Sequence, residues 1–210
     1  MIISLPSDIL KIKNTRNSKI IHRMLSVPNL FLVGGNSRHS GKTTLACDVI
    51  RKFSSDFEVT AFKLTRIHPA EKEMHGNHQS DSEFSEYSIM EEANEDSPKD
   101  TSLMLQAGAH KVVHIRAKDG YLQKAFEEFC AKYDHGQPLV CESRGLRDGV
   151  VPGIFVMMMR IPTWGSPKEV DHYLHIADKI FYFDQSRDVQ IEWIKRLQFE
   201  NGQFYFSFSK

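Results

Sequence analysis

The sequence predicts a three-layer α/β domain built on a doubly wound, mostly parallel sheet, and three observations carry that expectation. Short apolar runs alternate with segments of helical spacing along most of the chain, as βαβ units require. One of those runs, residues 29 to 34, is apolar at nearly every position, which suits a strand buried on both faces. The 210 residues, 40% of them hydrophobic, suffice for one such domain with a substantial core and are too few for two large ones.

The elements follow in order. Ahead of the first strand, Ser7 to Leu25 places Ile9, Leu10, Ile12, Ile20, Ile21 and Met24 at a weak helical spacing, so residues 1 to 28 read as a helical arm and residues 29 to 210 as the main domain. The strand at 29 to 34 runs into a loop rich in glycine and serine. A helix over Thr43 to Phe53 comes next, with Leu45, Ala46, Val49, Ile50 and Phe53 on one side. Glu58 to Leu64 reads as a second strand. A polar insertion over residues 65 to 98 lacks sustained periodicity, and at that length it is expected to be a functional lid or a loose excursion. Thr101 to Ala107 then reads as a short helix, His110 to Ala117 as a strand, and Gly120 to Tyr133 as a helix. Pro138 to Glu142 and Gly153 to Met159 read as strands, Pro167 to Ala177 as a helix, Lys179 to Asp184 as a strand and Val189 to Leu197 as a helix. The alternating Phe204, Phe206 and Phe208 suggest an edge strand over Gln203 to Ser209.

Composition narrows the function. Lysine plus arginine and aspartate plus glutamate both number 27, so the whole chain carries no electrostatic footprint for nucleic acid or an anionic membrane. Cys47, Cys130 and Cys141 are odd in number and far apart, which argues against a disulfide framework or a zinc knuckle and for a reducing compartment. Asp8 and the lysines after it interrupt any leader-like apolar run. Gly153 to Met159 falls far short of the roughly 20 residues that span a bilayer. A soluble, cytoplasmic protein is expected.

The chemistry is concentrated in "GGNSRHSGKTT". Gly41, Lys42 and Thr43 match the end of the phosphate-loop pattern G-x-x-x-x-G-K-[ST], whereas the opening glycine is displaced one place to Gly35 and Asn36 stands at its position. Asn36 is expected to be tolerated there because asparagine visits the left-handed conformation more readily than most residues. Strand, loop and helix in this order present backbone N–H groups and a positive helix end to an anion. Residues Gly35, Asn36, Ser37, Arg38, His39, Ser40, Gly41, Lys42, Thr43 and Thr44 are therefore candidates to hold a nucleotide, in the manner of a P-loop NTPase fold. Lys42 would reach the terminal phosphates and the Thr43 hydroxyl would ligate Mg2+.

A second ligand for that ion is sought at the end of a buried strand. "PLVCESRGL" supplies Glu142, at the carboxyl edge where doubly wound sheets bind ligands. Lys42 and Glu142 are the catalytic candidates, and Thr43 and Glu142 the metal candidates. Arg144 and Lys63 are weaker candidates for contacts to phosphate or a second substrate. His68, His75 and His78 have no metal-site spacing and read as a solvated loop.

The segments "GNSRHSGKTTL", "AFKLTR", "KDTSLMLQAGAHKVV" and "PLVCESRGL" occur in an order that resembles the molybdopterin-guanine dinucleotide biosynthesis protein B family over residues 29 to 200. Lys99-Asp100-Thr101 with Ala107-Gly108-Ala109 is the most specific part of the likeness. The resemblance implies a dimeric GTP-binding protein with weak hydrolysis that assists attachment of a nucleotide to molybdopterin, alongside another molybdenum-cofactor biosynthesis protein. It also implies that Asp100 lies near the metal or substrate. The family's histidine-rich run after the second strand is "TRIHPAEKEMHGNHQ" here, and its glutamate-glycine pair is Glu142-Ser143. The guanine-reading pattern N-K-x-D does not occur, so the nucleotide is expected to be GTP or ATP. Two alternatives stand beside this function: a small-molecule kinase or ligase similar to dethiobiotin synthetase, and a non-catalytic scaffold with a degenerate loop.

Overall fold

A computed structural model of the chain describes residues 24–67, 86–161, 170–183 and 187–207. Its elements are β1 (Leu25–Gly35), α1 (Lys42–Phe53), β2 (Thr60–Ile67), β3 (Tyr87–Glu91), α2 (Asp100–Gln106), β4 (Lys111–Lys118), α3 (Leu122–Tyr133), β5 (Leu139–Glu142), β6 (Val150–Met159), α4 (Asp171–His175), β7 (Lys179–Tyr182), α5 (Arg187–Lys195), β8 (Leu197–Glu200) and β9 (Gln203–Phe206). A 3-10 turn, Gly145–Asp148, joins β5 to β6.

Seven strands form one sheet in the order β3-β4-β2-β5-β1-β6-β7. All neighbours pair in parallel except β3, which runs antiparallel to β4 at one edge. Because side chains alternate across a strand, β1 supplies both core layers. Phe31 and Val33 face a layer with α1, α2 and α5, while Leu30 and Leu32 face a layer with α3 and α4. All four side chains are fully buried, which is why this run is apolar throughout. Helices on both faces make the architecture a three-layer α/β fold.

The pairing of β1 with β6 slips between Val27 and Phe31. Pro28 has no N–H to give the ladder, and its carbonyl oxygen would lie 2.0 Å from a Cβ at residue 153, so Gly153 is what permits the close approach. Asn29, beside the slip, is buried and donates to Asp134 Oδ1 at 2.8 Å and to the Gln137 carbonyl at 3.0 Å.

Several expectations need correction. The proposed arm falls mainly on residues 1–23, outside the described residues, but Leu25 to Pro28 belong to β1. The polar insertion is not wholly irregular: residues 68–85 lie outside the described residues, and Tyr87–Glu91 forms β3 because β4 offers it an open edge. The three histidines of that segment also lie outside them. The fourth predicted helix is described only as Asp171–His175. Gln203–Phe206 is not an edge of the large sheet. It pairs with β8 in a separate hairpin whose turn, Asn201-Gly202, has both residues at positive φ (53° and 73°). The hairpin sets Phe199 and Phe204 against Phe53 and Phe57, so aromatic packing holds it to the α1 face. Trp193 of α5 stacks on Phe206 and meets Phe31 and Phe181 at an angle.

Among the described residues, no helix is long and apolar enough to cross a membrane. Cys47, Cys130 and Cys141 are all free thiols.

Candidate functional site at the carboxyl edge of the sheet

The loop between β1 and α1, residues 36 to 41, is wound by two left-handed residues, His39 (φ 55°) and Gly41 (φ 88°). Asn36 is not among them, which corrects the expectation that it serves as a left-handed residue. Its side chain instead acts as a piece of backbone. The amide Nδ2 donates to the Arg160 carbonyl and Oδ1 accepts from the Arg160 N–H, each at 3.0 Å. The Asn36 N–H itself donates to the Met158 carbonyl at 3.3 Å, so the start of the loop continues the β1–β6 ladder by one more residue. The Arg160 guanidinium then donates to the His39 carbonyl at 3.1 Å and lies 4.8 Å from the centre of the Phe183 ring.

Within the loop, Lys42 Nζ donates to the Ser37 carbonyl at 2.8 Å and to Ser40 Oγ at 3.3 Å. Gly35 has no room for a side chain, because a Cβ there would stand 2.7 Å from Ser40 Oγ and 2.9 Å from both Lys42 Cδ and the Met158 carbonyl oxygen. Leu45 N–H is the first to find an intrahelical acceptor, at the Gly41 carbonyl, and no side chain caps the helix start. The N–H groups of α1's first turn therefore point into the loop at the positive end of a 12-residue helix. Ser37 Oγ is enclosed without a hydrogen-bond partner, an unmet polar atom of the kind a bound ligand satisfies. Arg38, His39 and Thr44 are exposed.

Below the loop four polar side chains meet. Lys63 of β2 and Glu142 of β5 are register partners, and Glu142 is also the partner of Val33 in β1. All three share the parity of Ala61, Val140 and Phe31, so their side chains face the α1–α2 layer. Thr43, in the first turn of α1, places Oγ1 2.6 Å from Glu142 Oε2 and 2.9 Å from Asp100 Oδ1. The hydroxyl has one proton for two carboxylates, so at any moment one of these contacts is oxygen against oxygen. Lys63 Nζ binds Asp100 Oδ2 and lies 3.9 Å from Glu142 Oε1. Glu142 is nearly enclosed, with 6% of its side chain exposed, whereas Lys63 and Asp100 open to solvent at 28% and 35%.

Burial works against ionisation of Asp100, but the Lys63 hydrogen bond and charge, with the Thr43 hydroxyl, outweigh it and hold the carboxyl below its ordinary value of 3.8. Two carboxylates and a hydroxyl converging within hydrogen-bond distance make a hard-oxygen donor set, which suits a small divalent cation such as Mg2+. Among the described residues, no group of three or more histidine, cysteine, aspartate and glutamate side chains assembles into a metal cage.

The row extends one strand further. His114 of β4 is the register partner of Lys63, and its Nε2 lies 3.2 Å from Thr65 Oγ1. Burial and the nearby Lys63 charge lower the basicity of this imidazole from its ordinary 6.5. The structure thus brings together Thr43, Lys63, Asp100 and Glu142 beneath the loop that carries Lys42. It sets Arg144 apart: the guanidinium lies 5.3 Å from the centre of the Tyr173 ring, against the α3–α4 layer. The sequence reading missed Asn36–Arg160 and His114. For His114 no local signal was available, since its row of "KVVHIRAK" is Val112, His114, Arg116 and Lys118, polar after the first residue, while the apolar row is Val113, Ile115 and Ala117.

No family model, curated protein or solved structure matches the chain.

Proposed function

We propose that this chain is a P-loop nucleotide-binding protein that holds a magnesium complex of GTP or ATP and hydrolyses it slowly. The observation that carries the proposal is the position of Thr43 Oγ1, at the foot of a loop crossed by the Lys42 ammonium and within 2.6 and 2.9 Å of Glu142 and Asp100. A triphosphate in the loop would take N–H groups of α1's first turn and the unpartnered Ser37 hydroxyl. Lys42 would exchange the Ser37 carbonyl for a phosphate oxygen, which is a stronger, charge-assisted contact. Thr43, Glu142 and Asp100 would hold Mg2+, which supplies charge neutralisation at the phosphate oxygens when bound. Enclosure of Glu142 keeps its charge directed at that point instead of being screened by water.

The resemblance to the molybdopterin-guanine dinucleotide biosynthesis protein B family suggests that such a protein would serve assembly of a nucleotide-bearing molybdenum cofactor, working as a dimer beside a partner protein of the same process. A second reading has an observation of its own in its favour. Lys63 sits partly exposed beside the carboxylates, where its charge would attract an anionic acceptor. That arrangement favours transfer to a small acid or alcohol, as in a kinase or ligase similar to dethiobiotin synthetase.

The test is a thermal-shift and calorimetric screen of ATP, GTP and their diphosphates with Mg2+, run on wild type and Lys42→Ala. A magnesium-dependent rise in melting temperature for wild type that Lys42→Ala lacks is expected. Equal responses, or no response from wild type, would overturn the proposal and leave a scaffold. Phosphate release to water, set against product formation from a metabolite mixture, separates the two catalytic readings.

A further inference from the structure

The two carboxylates beneath the loop are bridged twice. Thr43 Oγ1 meets Asp100 Oδ1 and Glu142 Oε2, and the Lys63 ammonium faces the remaining oxygen of each, Asp100 Oδ2 and Glu142 Oε1. Every carboxylate oxygen of the pair is therefore turned toward one of these two groups. The ammonium is what makes the arrangement tolerable. A carboxylate as enclosed as Glu142, set close to a second one, is costly unless a positive charge accompanies it. Lys63 reaches that place from β2, in register with Glu142, on a long stem that stays partly in solvent.

We propose that the Lys63 ammonium is the resident cation of the Thr43–Asp100–Glu142 set, that it excludes a free divalent ion from this set, and that it yields only when a phosphate chain offers it another anion. The assignment rests on the nucleotide reading for its last clause only. A divalent ion entering beside Lys63 would meet a like charge within a few ångströms and would have to share carboxylate oxygens already paired, so its affinity for the free protein is low. A phosphate chain in the loop changes both terms at once. It gives the ammonium a new partner and gives the divalent ion further oxygen ligands. Metal and nucleotide then bind cooperatively, each raising the affinity of the other by the same factor.

Mn2+ is the probe, titrated into the full chain without nucleotide and followed by the loss of the free-ion electron paramagnetic resonance signal. Wild type and Lys63→Arg are expected to bind Mn2+ weakly. Lys63→Met and Lys63→Gln, two variants so that a folding defect in one does not decide the matter, are expected to bind it about tenfold more tightly or better. Adding Thr43→Val to either should reverse the gain, which ties it to this set of oxygens. Mn2+ affinities that match between wild type and both neutral variants would overturn the proposal. In wild type, a non-hydrolysable nucleoside triphosphate should raise Mn2+ affinity to a similar extent. If the nucleotide changes nothing while the neutral variants still gain, the exclusion of the ion by Lys63 is upheld. The nucleotide reading is then what fails.

Discussion

Asn36 and Arg160 complete each other's bonding across 124 positions of sequence, the side-chain amide of one taking both the carbonyl and the N–H of the other. The pair fastens the start of the loop to the end of β6. It explains why the residue at the place of the pattern's opening glycine is asparagine: the fold uses its amide and asks nothing unusual of its φ.

Asn36→Gly, which restores the glycine pattern, should therefore weaken the protein. Losing both contacts leaves the Arg160 backbone groups to water or to nothing, and a loss of about 2 kcal/mol is expected, read from the shift of a urea midpoint. Asn36→Ala should behave alike, and a neutral or stabilising glycine variant would contradict this account of the pair.

Gly35→Ala meets the loop from the other side. The added carbon would press on Ser40 Oγ and Lys42 Cδ, which can shift, and on the Met158 carbonyl oxygen at 2.9 Å, which is held in the β1–β6 ladder. A cost of about 1–3 kcal/mol is expected from overpacking, together with loss of the Lys42 contact to Ser37. Thermal unfolding of the variant beside wild type checks it.

His114 gives the fold a pH dependence with a definite sign. Its pKa is lowered in the folded protein, so the unfolded chain takes up the proton first as pH falls through about 6.5. The unfolded state binds more protons in the window from that value down to the lowered one, and stability drops there as the solution is acidified. The groups acting on the ring are Lys63 from β2, Glu92 and Lys99 from the segment before α2, and Asp100 from α2. His114→Gln should flatten melting temperature against pH between 7 and 5 (on the order of one proton's worth). An unchanged slope would show that other groups control it.

The thiols should be silent in the folded state. Burial pushes Cys47 up to about 11 and Cys130 up to about 12, and it raises Cys141 well above the ordinary range. Iodoacetamide at pH 8 should leave all three unmodified until denaturant is added, by mass spectrometry of the intact chain. Rapid labelling of any one would mean that its surroundings open.

The parts of this fold that could be read from sequence are those whose burial fixes their pattern. β1, β5 and β6 lie in the middle of the sheet and are apolar on both faces; α1 shows one apolar side because the other is wet. β3 was missed for the converse reason. "YSIME" is at most half-buried, and its pairing comes from the open edge of β4, not from its own residues. The hairpin of β8 and β9 did carry a local signal in Asn201-Gly202, the dipeptide suited to two positive-φ residues, whereas the alternation of the phenylalanines marks a strand without saying which strand it pairs with. At the site, Glu142 was legible because it ends β5 at the carboxyl edge of a parallel sheet, whereas Lys63 lies mid-way along β2 and stands level with it because β5 is the shorter strand. Arg144 misled because the chain crosses to the other face within two residues of Glu142. The Asn36–Arg160 pair had no local trace, since each residue is ordinary where it stands and only the packing of β1 beside β6 makes them neighbours.

Helix α1 is clamped at both ends. Thr43 ties its first turn to Glu142 and Asp100, and Lys52 in its last turn donates to the Ile194 and Lys195 carbonyls, closing the end of α5. A strut roughly 18 Å long thus joins the polar row at one rim of the sheet to the aromatic hairpin near the other. It cannot pivot without breaking one of those ties. Displacing its first turn would break the Thr43 contacts to Glu142 and Asp100, and displacing its last turn those of Lys52 to the end of α5.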